Sequence, residues 1–210
     1  MNTASDPPST VFVIDDEQEV RTLLECILKR AGYRIETFSS ASAFLKRPCF
    51  EGSGCLVLDV QMPDMDGIEL QTELARTGKK MPIIFLTGHG DIRTSVHAMK
   101  QGAIDFLSKP FKREELLTAV SSALEIHRQW RKSSAETDEV RKRIATLTPR
   151  ETDVLQGVIA GKLNKQIAAK LGVREITVKV HRRRVMEKMG VSSVAELVRI
   201  TERGHLSTNA

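Results

Sequence analysis

"CLVLDVQMPDMDG", residues 55–67, is apolar for four residues and then stops on a carboxylate. Cys55 to Asp59 read as a short strand hydrophobic on both faces, the pattern of a strand inside a parallel sheet. Pro63, Asp64, Asp66 and Gly67 follow at once, which is loop chemistry. A buried strand that aims an acid out of its C-terminal end needs a reason, and the flanking sequence supplies one.

On either side the same kind of strand recurs. "TVFVI" (10–14), "YRIETF" (33–38), "PIIFLT" (82–87) and "IDFLS" (104–108) are short, β-branched or aromatic, and largely apolar. Between them lie helical spacings: Val20, Leu23, Leu24, Ile27 and Leu28; Ile68, Leu70 and Leu74 after Gly67; Val96, Met99 and Ala103 after Asp91; Leu116, Leu117, Val120 and Leu124 after Pro110–Phe111. Five βα repeats in about 125 residues predict an open, doubly wound parallel sheet with functional groups at the carboxyl ends of its strands.

Those ends carry one chemistry. Strand one ends in Asp15–Asp16, strand three in Asp59 and strand four in Thr87, while strand five runs to Lys109 before Pro110. Three carboxylates on one sheet edge repel each other, and a hard divalent cation relieves that repulsion. An all-oxygen site with few protein carboxylates suits Mg²⁺. An acid kept ionised there can act as a nucleophile toward phosphorus, with Lys109 and Thr87 holding the transferred phosphoryl oxygens. "TGHGD" (87–91) lacks the lysine-terminated spacing of a nucleotide phosphate loop.

Charge divides the chain. Residues 1–125 hold 14 Lys+Arg against 18 Asp+Glu, a net of −4; residues 126–210 hold 18 against 9, a net of +9. An acidic front and a basic back point to a nucleic-acid partner for the back alone. Cys26, Cys49 and Cys55 form no CxxC pair and read as reduced core residues, and the five histidines form no ligand cluster. "MNTASDPPST" has neither the basic nor the apolar region of a signal peptide, and no apolar run is long enough to span a bilayer. A cytoplasmic protein with no membrane partner is expected.

Residues 126–146 are polar, charged and free of glycine, and read as a helical linker with a break near Ser133–Thr137, where Ser133 and Glu136 have capping-box spacing. Beyond it every signal is helical. Thr148, Pro149 and Glu151 make a helix start; Gly161 ends that helix; a second, Asn164 to Leu171, stops at Gly172; and a third begins near Glu175. Two short helices around "LGV" spell a helix-turn-helix. Wound at about 100° per residue, the third helix sends Val178, Val185 and Met189 to one stripe. Opposite stand Lys179, Arg183 and Arg184 around an apolar Val180, with Ile176 nearby. The cations suit phosphates or guanine edges, and Val180 suits a thymine methyl. His181 lies beside the buried stripe and reads as a packing or phosphate-contacting group.

"VIDDE", "LVLDVQMPDMDG", "FLTGHGD" and "AIDFLSKPF" closely resemble the receiver domain of bacterial two-component response regulators. The resemblance covers residues 10 to about 125 and implies a flavodoxin-like sheet of order 2-1-3-4-5. It implies that Asp59 accepts a phosphoryl group from a sensor histidine kinase. Asp16, Asp59 and the backbone carbonyl of Gln61 would bind Mg²⁺ (or Mn²⁺), with Asp15 assisting through water. Thr87 would follow the phosphoryl group, Phe106 would turn inward behind it, and the Lys109–Pro110 bond would be cis. Phe106 lacks the hydroxyl that many relatives carry there.

"LTPRE", "NKQIA", "LGV", "TVKVH" and "EKMGV" resemble the LuxR-type four-helix DNA-binding domain, and the whole chain resembles the NarL/FixJ family, on the FixJ side. Carried over, Lys179, Val180 and Arg183 would contact bases, while Lys165, Thr177, Arg182, Arg184 and Lys188 would contact the DNA backbone. Leu163 replaces the small polar residue usual before Asn164, and Arg184 a common asparagine. The implied organisation is a tail (1–9), a receiver (10–125), a helical linker (126–146) and a DNA-binding domain (147–210). The implied function is a transcription regulator, not a metabolic enzyme: phosphorylation drives homodimerisation on promoter DNA, with activation through RNA polymerase. A small-molecule phosphohydrolase would need a specificity cap that the short loops leave no room for.

Overall fold

The structure is a computed structural model that describes residues 9–48, 50, 52–78, 80–88 and 102–203. The chain divides into two compact units, Met1–Arg131 and Lys132–Ala210. In the first, β1 (Thr10–Ile14), β2 (Arg34–Phe38), β3 (Gly54–Asp59), β4 (Ile83–Thr87) and β5 (Asp105–Ser108) form one sheet in the order β2-β1-β3-β4-β5. All neighbours are parallel, with Ile14 beside Leu58, Asp59 beside Leu86 and Thr87 beside Ser108. The expected architecture stands.

Alternation along the central strands builds two cores. Phe12, Ile14, Leu56, Leu58 and Phe85 face one side, where α2 (Ala41–Leu45) and α3 (Gly67–Arg76) cover them with Phe44, Leu70 and Leu74. Val11, Val13, Cys55, Val57, Ile84 and Leu86 face the other, covered by Leu24 and Leu28 of α1 (Gln18–Arg30) and by Leu116, Val120 and Leu124 of α4 (Arg113–Ala145). Phe12 meets Phe44 and Phe50 edge-on, with centroids 5.7 and 5.0 Å away. Such pairs add about 0.5–1.5 kcal/mol each beyond area burial. Both cores brace β1 and β3, so the acids at their ends project from a rigid base.

Several readings need correction. Leu23 is 53% exposed and Cys26 is exposed, because α1 turns only the Leu24–Leu28 face inward. Among the described residues Cys55 is the core thiol, and burial pushes its pKa up to about 12. α2 has no counterpart in the sequence reading; it is five residues long, started by Ser40 Oγ accepting from the Ala43 N–H. No break falls at Ser133–Thr137. There α4 continues, Thr137 Oγ1 donates back to the Ser133 carbonyl at 2.9 Å, and Arg143 pairs with Glu139 four residues before it. Ser133 is therefore a helix-interior residue and not a cap. Cys49 and the helix read from Val96 and Met99 lie outside the described residues.

The second unit is helical: the end of α4, then α5 (Pro149–Ile159), α6 (Asn164–Leu171), α7 (Glu175–Met189) and α8 (Val194–Arg203). Thr148 and Glu151 form a complete capping box at the start of α5. Gly172 and Gly190 end α6 and α7 with φ of 67° and 66°, a left-handed turn that glycine adopts at little cost. Val154, Val158, Ile167, Val178, Val185, Met189 and Leu197 close a single core. Among the described residues no helix is long and apolar enough to cross a membrane.

Candidate functional site

Asp59 ends β3, and Asp15 follows β1 one strand away; both are buried. Lys109, just after β5, reaches across the edge between them. Its Nζ donates to Asp15 Oδ2 at 2.8 Å and to Asp59 Oδ2 at 2.7 Å, and lies 3.9 Å from Glu17 Oε1. Its backbone N–H donates to the Thr87 carbonyl at 2.6 Å, and the Lys109–Pro110 peptide is cis. The remaining carboxylate oxygens are held by backbone: Asp15 Oδ1 accepts from the Glu17 N–H at 2.9 Å, Asp59 Oδ1 from the Gln61 N–H at 3.1 Å. Thr87 is buried at the end of β4, and Phe106 is half-buried against Phe85, with ring centroids 6.1 Å apart.

The electrostatics follow from this geometry. Burial pushes the Asp15 carboxyl up, with the Lys109 ammonium opposing it. Burial also works against the Lys109 charge, but its hydrogen bonds to Asp15 and Asp59 outweigh that, so its pKa stands above the ordinary lysine value. One ammonium thus offsets part of the repulsion between two acids at the sheet edge.

Asp15, Glu17 and Asp59 each offer an oxygen within 4.8 Å of the others, a set able to hold a metal ion. Asp16 is exposed and outside that group, and its carbonyl, like that of Asp15, accepts from Arg21. Glu17, which the sequence reading missed, stands inside it. The signal that finds Glu17 is the unbroken acidic run Asp15–Asp16–Glu17 directly after the first strand.

The loop after Asp59 is closed tightly. The Gly67 N–H donates to the Val60 carbonyl at 3.0 Å, and Asp66 caps α3 in a reciprocal box with Glu69. A Cβ on Gly67 would lie 2.5 Å from the Asp59 carbonyl and 3.0 Å from Phe85 Cε1. Neither backbone nor packed ring can yield. Gly67→Ala is therefore expected to cost at least ~1–3 kcal/mol by overpacking, which thermal melting would check.

In the second unit, α7 turns Val178, Val185 and Met189 inward and leaves Lys179, Val180, Arg183 and Arg184 exposed. Lys179 lies 3.5 Å from Glu175, and Arg183 Nε donates to Glu187 at 2.8 Å, so both cations are held on the helix surface. Arg182 Nη1 donates to Asn164 Oδ1 at 2.9 Å and ties α7 to the start of α6. Thr177 and His181 are half-buried, Lys165 is exposed, and Leu163 is exposed at the α6 N-cap, where its N–H donates to Gln166 Oε1.

Lys188 does not fit its expected role. Its Nζ donates to buried Glu151 at 2.6 Å and to the Thr146 carbonyl at 3.0 Å, so the ammonium is spent inside the unit. This ion pair, helped by the Thr148 N–H, lowers the Glu151 pKa from 4.5 to about 2. A carboxyl held below its unfolded value contributes stability that is complete above pH ~4.5 and lost as the pH falls toward 2. Acid unfolding of the second unit, followed by circular dichroism, is expected to shift to higher pH in Glu151→Gln and to lose part of its steepness over that window.

Comparison with known proteins agrees with both halves. Residues 11–121 match the response regulator receiver domain, and residues 145–201 match the bacterial regulatory proteins of the luxR family. The chain is 45% identical over 199 residues to the response regulator protein TodT of Pseudomonas putida, covering 95% of this chain and 88% of TodT. It is 41% identical over 193 residues to the transcriptional regulatory protein FixJ of Bradyrhizobium diazoefficiens, covering 92% and 94%. Among solved structures, the response regulator StyR superposes with a TM-score of 0.82 at 47% identity, covering 93% of this chain and 99% of StyR. Full-length FixJ from B. japonicum gives 0.57 at 39%, covering 97% and 100%. The chain therefore belongs to the response regulators of the NarL/FixJ type, a receiver domain followed by a LuxR-type DNA-binding domain.

Proposed function

We propose that Asp59 is the phosphoacceptor of a two-component system and that its phosphorylation pairs two chains on promoter DNA. The observation that carries this is the Lys109 ammonium, hydrogen-bonded at once to Asp15 and Asp59 at the edge of a rigid sheet. An Asp59 oxygen attacks the phosphorus of a phosphohistidine on a sensor kinase. The O–P bond forms as the N–P bond breaks, and the imidazole leaves. Lys109 stays beside Asp59 to meet the charge on the phosphoryl oxygens, and Thr87 offers a hydroxyl from the neighbouring strand. Phe106 then fills the space behind Thr87.

The all-oxygen set of Asp15, Glu17 and Asp59 fits a hard divalent cation. Asp59, Asp15 and Asp16 with the Gln61 carbonyl are the residues that would hold Mg²⁺ (or Mn²⁺), and Glu17 stands within reach. When bound, the ion offsets negative charge developing during transfer. The same site would hydrolyse its own acyl phosphate, which resets the switch and is not metabolic turnover.

On DNA, Lys179, Val180 and Arg183 would reach base edges while Lys165, Thr177, Arg182 and Arg184 contact phosphates. Two α7 helices in a dimer would meet half-sites one helical turn apart. The outcome is regulation of transcription, in the activating sense through RNA polymerase. Working boundaries are 10–125 for the receiver, 126–146 for the linker and 147–210 for the DNA-binding domain, in the cytoplasm.

Molar mass by light scattering, with and without Mg²⁺ plus beryllofluoride as phosphoryl mimic, tests the pairing step. A shift from monomer to dimer that Asp59→Asn abolishes is the expected result. An unchanged mass would remove pairing as the control step.

A further inference from the structure

α7 exposes two large apolar side chains, Ile176 at 63% and Val180 at 46% of their surface. They stand one turn apart and, at about 100° per residue, within about 40° of each other. They form one row on the face opposite buried Val178, Val185 and Met189. Cations flank the row: Lys179 and Arg183 on one side, Arg184 on the other, all exposed. A single exposed isoleucine signifies little. An apolar row fenced by cations on the recognition helix of a DNA-binding domain has a specific chemical complement. That complement is the thymine methyl, the one apolar group at a major-groove base edge.

Resting on the DNA-binding reading above, we propose that Ile176 is a specificity residue that packs on a thymine methyl, alongside Val180 on a second one. Four residues of helix rise about 6 Å, close to two base-pair steps of about 3.4 Å. The half-site therefore carries two thymines with one base pair between them. Ile176 sits in the first turn of α7, the part of a recognition helix that contacts base edges. The flanking cations hold the phosphates or guanines around the row, and the methyl pair sets its position.

The test uses the full-length chain with Mg²⁺ and beryllofluoride. Duplexes are selected from a randomised library, and each thymine of the winner is then replaced singly by deoxyuridine, which removes only the methyl. Two positions separated by one base pair are expected to lose about 3- to 5-fold in affinity each, the worth of one buried methyl. In Ile176→Ala the loss at one of them should vanish while the loss at the other persists. The persisting loss also shows that the exposed substitution has left the domain folded. Equal sensitivity of wild type and Ile176→Ala to every deoxyuridine would overturn the proposal, as would thymines at any other spacing. Failure to enrich any sequence would overturn the DNA-binding reading itself, and the proposal with it.

Discussion

Asp59→Asn is expected to reduce phosphate incorporation from a small-molecule donor such as acetyl phosphate to background, while leaving the fold as stable as before or more so. The chemical half follows from nucleophilicity: an amide oxygen in place of the carboxylate cannot form the acyl phosphate. The stability half follows from the charges. Asp15, Glu17 and Asp59 crowd within 4.8 Å, and a single ammonium serves them. Removing one acid relieves repulsion, and Lys109 keeps its bond to Asp15. Phosphate-retention gels and thermal melting in parallel separate the two. A variant that lost phosphorylation because it had unfolded would melt lower.

Lys188→Met is expected to destabilise the second unit by about 2–3 kcal/mol, because it strands the Glu151 carboxylate in a buried position. Breaking a buried pair costs about 3–5 kcal/mol; the partial exposure of the lysine side chain argues for the lower figure. For a unit of this size the melting temperature should fall by about 10 °C or more. Well below that temperature the salt dependence of DNA binding should match wild type, since the ammonium faces Glu151 and Thr146. A phosphate contact would instead lower the slope of log K against log salt by about 0.9.

Much of this was legible in the residues. Five short apolar strands announced a parallel sheet, and the residues ending them gathered Asp15, Asp59, Thr87 and Lys109 at one edge before any coordinates. The capping signals at Thr148 and the glycines at 172 and 190 set the helices of the second unit. What escaped has physical causes. Adjacent acids look equivalent in sequence, yet the turn after β1, bent at Asp16 and closed by the Glu17 N–H on Asp15 Oδ1, leaves Asp15 buried and Asp16 exposed. The partner of Lys188 is a buried acid 37 positions earlier, and no local spacing reveals a pair formed by tertiary packing. α2 is too short to show a period. Serines and threonines at 133–137 resemble a cap, and only their bonding within α4 shows that the helix absorbs them.

The measurement that bears most directly on the central claim is the affinity of the full-length chain for its selected duplex at fixed salt, before and after adding Mg²⁺ and beryllofluoride. A switch built on Asp59 is expected to tighten binding by at least ~5-fold, and by up to ~150-fold if the coupling is strong, with no change in Asp59→Asn. Equal affinity in both states would contradict phosphorylation control and leave a DNA-binding protein whose receiver serves another purpose.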